Sequence, residues 1–375
     1  MKTVYLDYAA TTPVIQPAKD AVIKYLNTFY NPSSAYAGAR EVREAVEKAR
    51  ADIASCIGAL PEEIYFTSGS TEGNNIAIQG GIKAVSGRFI TTNIEHPSVM
   101  NLVDKYSDNC YVLDVKYDGS IDLQELESAL DFNDFVSIML INNEIGYIQP
   151  MHDIAKRVKR HKGIIHTDAT QAIGHIPIDV RELDVNILTA SGHKFGAPKG
   201  VGFIYIRKGT HIPSLTFGGG QENGFRSGTE NVGGIVAMAA ALTQATKDLK
   251  RNTAHIQEVS DYCIEKFESC GFSYSFNFTS NNHYAGIVNV CLMGTRGEEV
   301  VEFLSQNDVY ISSGSACHSH DDKPSHVLLA IGCTTEQAES SIRISIGNDT
   351  TKAEIDRLFE VLNLYYTLRG EDNID

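Results

Sequence analysis

GIIHTDATQAIGHIPIDVRELDVNILTASGHK, residues 163–194, holds two short apolar runs that each close on polar groups. GIIHTD (163–168) ends on Asp168, with Gln171 one turn further on. VNILTAS (185–191) runs into Ser191-Gly192-His193-Lys194. Short runs rich in β-branched and apolar residues, bounded by turn formers, read as buried strands. Similar runs lie at FITTN (89–93), YVLDV (111–115), VSIMLI (136–141) and VGFIYI (201–206), with helical candidates such as 121–130 and 151–161 between several of them. Strand–helix alternation of this kind predicts an α/β fold: a mostly parallel central sheet joined by right-handed crossovers and flanked by helices. In such sheets ligands bind beyond the carboxyl ends of the strands. The polar groups that close each strand are therefore the candidates for function.

Working outward, residues 41–59 carry Val42, Val46, Ala49, Ile53 and Ile57 at helical spacing. A second helical pattern over 72–85 follows Thr67-Ser68-Gly69-Ser70-Thr71, which supply turn and capping groups. Beyond GGGQENGFRSGTEN (218–231) the rhythm changes: a helix-rich stretch over 232–270, strand-like SYSFN (273–277) and AGIVNVCL (285–292), a helix near 297–306, SIRISI (341–346) and a last helix near 351–366. The expected division is a large domain over 16–249 and a smaller α+β domain formed by 1–15 with 250–375.

Composition narrows the function classes. Among 375 residues, 32 Lys and Arg face 47 Asp and Glu, a net charge of −15. An acidic surface repels nucleic acid and anionic membranes, so neither is an expected partner. The densest apolar stretches, FVSIMLI (135–141) and IVAMAAAL (235–242), fall short of the ~18 residues of a membrane span. The N-terminus shows no secretion signal. Seven cysteines, an odd set without a CxxC pair, read as reduced thiols of a cytoplasmic protein.

Four strand ends carry the chemistry. Besides Asp168 and Lys194, VSIMLI runs into Asn142-Asn143-Glu144, and Gly69-Ser70-Thr71 open a helix. A Gly-Ser-Thr turn at a helix start is either a plain cap or a phosphate cradle. A carboxylate, a lysine beyond the next strand and a phosphate cradle match the needs of pyridoxal 5'-phosphate: a pyridinium partner, a covalent anchor and an anion site. In SIRISI, Arg343 alternates with the isoleucines, and a planar guanidinium suits carboxylate recognition. Cys317 sits in SSGSACHSHDDKP (312–324), a polar run with turn formers, unlike the apolar settings of Cys263 and Cys291. Cys317, His318, His320 and His326 lack a second cysteine at zinc-ligand spacing, so no metal site is expected.

The chain resembles the cysteine desulfurases of the NifS/IscS type, fold-type I pyridoxal-phosphate enzymes related to the class-V aminotransferases. The resemblance rests on YLDYAATTP (5–13), NPSS (31–34), FTSGSTEGNN (66–75), EHPSV (95–99), NNEIG (142–146), HTDATQ (166–171), SGHK (191–194), GAPKG (196–200), RSGTEN (226–231), SSGSAC (312–317) and SIRIS (341–345), in family order. It implies that Lys194 is the cofactor-linking lysine and Asp168 the pyridinium partner. Gln171 would bond the ring hydroxyl, and His96 would stack on the ring and move protons. Ser70, Thr71, Ser191, Gly192 and His193 would form the phosphate site, with Thr229 reaching across a homodimer. Arg343 and Asn143 would bind the carboxylate of L-cysteine, Asn143 also touching the cofactor. Cys317 would take the substrate sulfur as a persulfide, release alanine, and pass the sulfur to an acceptor protein such as an iron–sulfur scaffold or a tRNA-thiolating enzyme. Two positions depart from the pattern: Tyr36 stands where the family usually has histidine, and His318 follows the cysteine in place of Ser or Thr. Selenocysteine lysis or another pyridoxal-phosphate reaction on the same fold are alternatives, as is a sulfur-relay or scaffold-docking protein.

Overall fold

The computed structural model describes residues 3–279, 281–313 and 323–371. Its seven-stranded sheet runs, edge to edge, Ile64–Thr67, Gly202–Ile206, Ile187–Ser191, Ile164–Asp168, Phe135–Ser137, Phe89–Thr92 and Cys110–Leu113. The four pairings among the last five strands are parallel, and Gly202–Ile206 is antiparallel to both its neighbours. Successive side chains point to opposite faces of a strand. Phe89, Phe135, Ile187 and Ile204 accordingly pack on one side with Ile76 and Val99 of two helices. Ile90, Val136, Leu188 and Phe203 pack on the other, against Ile53, Ile154 and Met238. Both faces are covered, which explains why these strands read as apolar runs without alternation.

Two local features escape the sequence patterns. Ile64–Thr67 is a four-residue strand at the sheet edge that the apolar runs do not mark. The apolar run 136–141 is strand only to Ser137, although Ile138 N and Leu140 N still donate to the carbonyls of His166 and Asp168.

A second, antiparallel sheet has the order Ser312–Ser313, Ser341–Ser345, Ile287–Leu292 and Tyr274–Phe276. Its core includes Val288, Ile342, Val300 and Leu358, and it takes in Val4 and Leu6 from the N-terminal segment. Val4–Tyr5 pairs in parallel with Val309–Tyr310. The helix Val232–Glu268 joins the two cores: its 37 residues span about 55 Å. Ile235, Met238 and Leu242 lie in the first core, and Ile256, Cys263 and Phe267 in the second. The expected boundary at 249/250 falls inside this unbroken helix.

Candidate active site

Sheet order and register bring the polar strand ends together. Asp168 pairs with Thr189, so Ser191 and the turn Gly192–Lys194 project just past it from the neighbouring strand. Ser191 pairs with Gly202, and Gly202 with Thr67. Two antiparallel steps restore direction, so Ile64–Thr67 also points its carboxyl end here and starts the helix Ser70–Ala84 beside Ser191. The backbones approach closely. A Cβ on Gly202 would lie 2.5 Å from the Ala190 carbonyl oxygen and 2.7 Å from Gly69 Cα. Gly69 itself has φ +154°, a conformation open to glycine.

A cleft of about 450 Å³ opens at this edge, lined by Ser70, Thr71, His96, Asn143, Asp168 and Gln171, together with Ser191, His193, Lys194 and Arg343. Asp168 Oδ2 accepts from Asn74 Nδ2 at 2.7 Å, and Oδ1 from the Thr170 N–H at 2.9 Å. Lys194 Nζ donates to the carbonyls of Ala9 and Ala10. Gln171 Nε2 donates to the Ala9 carbonyl at 2.9 Å. His96 caps the helix Pro97–Lys105, its Nδ1 accepting from the Ser98 N–H. Burial, and then the charges of Lys194 and Lys199, lower the His193 pKa to about 4, so this ring is neutral where an anion would be bound. Beneath the cleft Glu95 is fully buried, and burial raises its pKa to about 8 despite hydrogen bonds from Met139 N and Thr92.

Arg343 reaches the same cleft from the second sheet. It is 4% exposed, with Nη1 donating to the Asn143 carbonyl at 2.9 Å and Nη2 paired with Asp7 at 3.0 Å. Arg343 Nε and the Thr170 hydroxyl are buried with no partner among the described residues, and both residues line the cleft. Such orphaned groups mark the place of a polar ligand.

The remaining expected residues lie elsewhere. Gly192 is buried under the turn, its N–H bonded to the Val201 carbonyl, and does not line the cleft. Thr229 is exposed on the 218–231 loop, outside the cleft. Tyr36 is 53% exposed and packs edge-on against Tyr30. Cys317, with His318 and His320, lies outside the described residues. Among the described residues no group of His, Cys, Asp and Glu is placed to hold a metal ion, and no helix is long and apolar enough to cross a membrane. Residues that sequence reasoning passed over include Asp7, Asn74, Ser98 and Thr170. Asn74 left a trace: a polar side chain on the helix face that otherwise buries Ala77, Ile78 and Gly81.

Residues 4–358 match the aminotransferase class-V family model. The cysteine desulfurase IscS of Dictyoglomus turgidum is 41% identical over 369 residues, covering 96% of this chain and 94% of that protein. The chain belongs to the class-V aminotransferase family, among its cysteine desulfurases. Two solved structures share the fold of this family member. A NifS-like protein has a TM-score of 0.91 at 33% identity, covering 98% of this chain and all of that one. SspA in complex with cysteine has a TM-score of 0.80 at 34% identity, covering 93% of this chain and all of that one.

Proposed function

We infer that the chain is a cysteine desulfurase that uses pyridoxal 5'-phosphate to move sulfur from L-cysteine onto Cys317, releasing alanine. The observation that carries the cofactor is one cleft holding, around a helix start, an acid already supplied with two donors, a lysine and an unpartnered hydroxyl. The residues fit the group. The first-turn N–H groups of Ser70 and Thr71, with the Ser191 hydroxyl and neutral His193, suit a phosphate dianion; Gly202 and Gly69 leave no side chain to fill that cradle. Asp168 suits a protonated ring nitrogen, Gln171 the ring hydroxyl and Lys194 the covalent link. When bound, pyridoxal phosphate supplies an electron sink for the substrate's α-carbon.

The chain's own groups do the rest. Arg343 binds the carboxylate of L-cysteine: its orphaned Nε gains an acceptor, and Asp7 keeps the guanidinium aimed at the cleft. Asn143, whose carbonyl receives Arg343, holds the same wall. Lys194 Nζ, when not linked to the cofactor, would take up and return a proton at the substrate, and His96, which lines the same cleft, would move another. Cys317 attacks as a thiolate. An S–S bond forms to the substrate sulfur as the carbon–sulfur bond breaks, so L-cysteine and the Cys317 thiol become alanine and a persulfide.

The reading extends to a cytoplasmic homodimer of two-domain subunits, divided as 16–249 and 1–15 with 250–375, that serves a sulfur-acceptor protein of iron–sulfur assembly or tRNA thiolation. Support for the dimer comes from Thr229, which is exposed and outside its own subunit's cleft, so its hydroxyl can serve a neighbouring molecule rather than its own site. The test is Cys317→Ser. With L-cysteine it should keep the cofactor, make alanine at least roughly 100-fold more slowly, and carry no sulfane sulfur, since a hydroxyl cannot replace the thiolate. Peptide mapping of the wild-type persulfide to Cys291 or Cys333 would overturn the assignment.

A further inference from the structure

Behind Asp168 the buried polar groups form a continuous chain in which each hydrogen has one place to go. Asp168 is an acceptor, so Asn74 must turn its amide nitrogen, not its oxygen, toward Oδ2 at 2.7 Å. That orientation settles the others. The second amide hydrogen goes to Ser98 Oγ at 2.8 Å, and Asn74 Oδ1 accepts the Thr189 hydroxyl. With its hydrogen used, Thr189 Oγ1 accepts from His166 Nε2 at 3.1 Å. His166 therefore carries its proton on Nε2, and Nδ1 accepts from the Ser137 hydroxyl at 2.8 Å. Burial lowers the His166 pKa to about 4, in keeping with a ring that carries one proton. Asn74, Thr189, His166 and Ser137 are all 0% exposed. In a buried network a single reversed group leaves a neighbour unsatisfied, so the whole chain holds one orientation.

The other arm leads to His96. Ser98 Oγ receives from Asn74 and gives its own hydrogen to His96 Nδ1 at 2.8 Å, where the Ser98 N–H also points at 3.1 Å. Two donors on Nδ1 place the His96 proton on Nε2. One planar amide thus serves both sides of the cleft. A leucine there would bring no hydrogens, and an alanine would bring nothing.

We propose that Asn74 is a positioning residue of the reaction: one amide hydrogen holds Asp168 as the acceptor for the cofactor's ring nitrogen, and the other, through Ser98, holds His96 with its proton on Nε2. The inference rests on the roles given above to Asp168 and His96. Without Asn74 the Ser98 hydroxyl can turn and accept from His96 Nδ1, leaving the Ser98 N–H as the one donor that opposes the Nδ1–H form, and Asp168 loses a donor.

The test uses the cofactor-loaded enzyme labelled with ¹⁵N-histidine, the His96 signals being identified by comparison with His96→Gln. Wild type should show His96 protonated on Nε2 alone at neutral pH. In Asn74→Ala an Nδ1–H form should appear, and kcat should fall roughly 10- to 100-fold, the loss expected for a hydrogen bond to a charged group. The KM for L-cysteine should stay within about twofold, because Asn74 does not face the substrate. Thr189→Val, which leaves both amide hydrogens in place, should keep the His96 form and lose less than roughly tenfold. Asn74→Leu conserves volume, brings no hydrogens, and gives the same readouts if the alanine variant does not fold. Unchanged His96 signals and kcat in both Asn74 variants would overturn the proposal. Full turnover in His96→Gln or Asp168→Asn would instead remove the reading beneath it.

Discussion

Lys194 lies between two environments, the cleft that contains Asp168 and a cavity of about 260 Å³ on its other side, bounded by His175, Phe195 and Tyr284. Its Nζ is held by the carbonyls of Ala9 and Ala10, which are acceptors for a protonated amine and no substitute for a covalent link. Lys194→Ala should therefore lose the visible absorption of lysine-linked cofactor and slow turnover by at least roughly 1,000-fold, since link and proton carrier vanish together. A spectrum like that of wild type would refute the assignment. Asp168 and Lys194 were legible because each closes an apolar run, and charged groups at strand ends have few structural uses. Asn74 was not, because nothing in the string STEGNN reveals that its amide meets residues 94 positions away.

At the scale of elements, the helix Ser70–Ala84 carries Ser70 and Thr71 to the cleft, and Asn74 to its place behind Asp168, only because it lies close against the sheet. Gly73 and Gly81 allow the approach: a Cβ on Gly73 would be 2.9 Å from Thr189 Cγ2, and one on Gly81 2.0 Å from Phe135 Cε2. Alanine favours a helix over glycine by about 1 kcal/mol. At Gly81 overpacking against the fully buried Phe135 outweighs it, costing about 1–3 kcal/mol and more where the ring cannot turn aside. Gly81→Ala should lower the thermal midpoint, measured by calorimetry on the loaded protein. An unchanged or higher midpoint would show that the helix has room to spare. The start of the same helix is tied to the 218–231 loop by Glu72, which pairs with Arg226 at 2.6 Å, so the Ser70–Thr71 turn and the Thr229 loop are built as one unit.

Across the whole molecule, three histidines outside the Asp168 cleft contribute to the acid limit. Burial lowers the pKa values of His166, His175 and His283 from 6.5 to about 4. Between those values the unfolded chain takes up protons that the folded one refuses, so stability present above pH 6.5 is lost as the pH falls toward 4. Glu95 has the opposite sign. Its pKa rises from 4.5 to about 8, so its contribution is lost as the pH rises through that window, at about 1.4 kcal/mol per unit. Three groups outweigh one below pH 6.5, and Glu95 acts alone among them above it, so the unfolding midpoint should peak near pH 6.5. Glu95→Gln should flatten the alkaline side; a wild-type midpoint that does not change from pH 6.5 to 8 would contradict this account. The proposed dimer makes a separate prediction. If Thr229 completes a neighbour's phosphate site, dilution to monomers should release cofactor, and Thr229→Val should release it at higher protein concentration. Monomers that retain the cofactor would exclude a shared site.

The order of apolar runs, their polar ends and the family motifs pointed, from sequence alone, to an α/β sheet and to Ser70, Thr71, His96, Asn143, Asp168, Gln171, Ser191, His193, Lys194 and Arg343, which line the cleft at its carboxyl edge, while Gly192 and Thr229 lie outside it. Periodicity and strand-end chemistry are local, and local patterns survive in a string of letters. Tertiary structure decided the rest. The edge strand Ile64–Thr67 exists because Gly202–Ile206 offers it hydrogen bonds. The helix Val232–Glu268 continues through the expected boundary because both cores have a groove for it. Arg343 is aimed by Asp7, which lies 336 residues away in sequence. Hydrogen-bond direction through Asn74 likewise depends on four chain segments meeting at one buried point, and no segment alone specifies its neighbours.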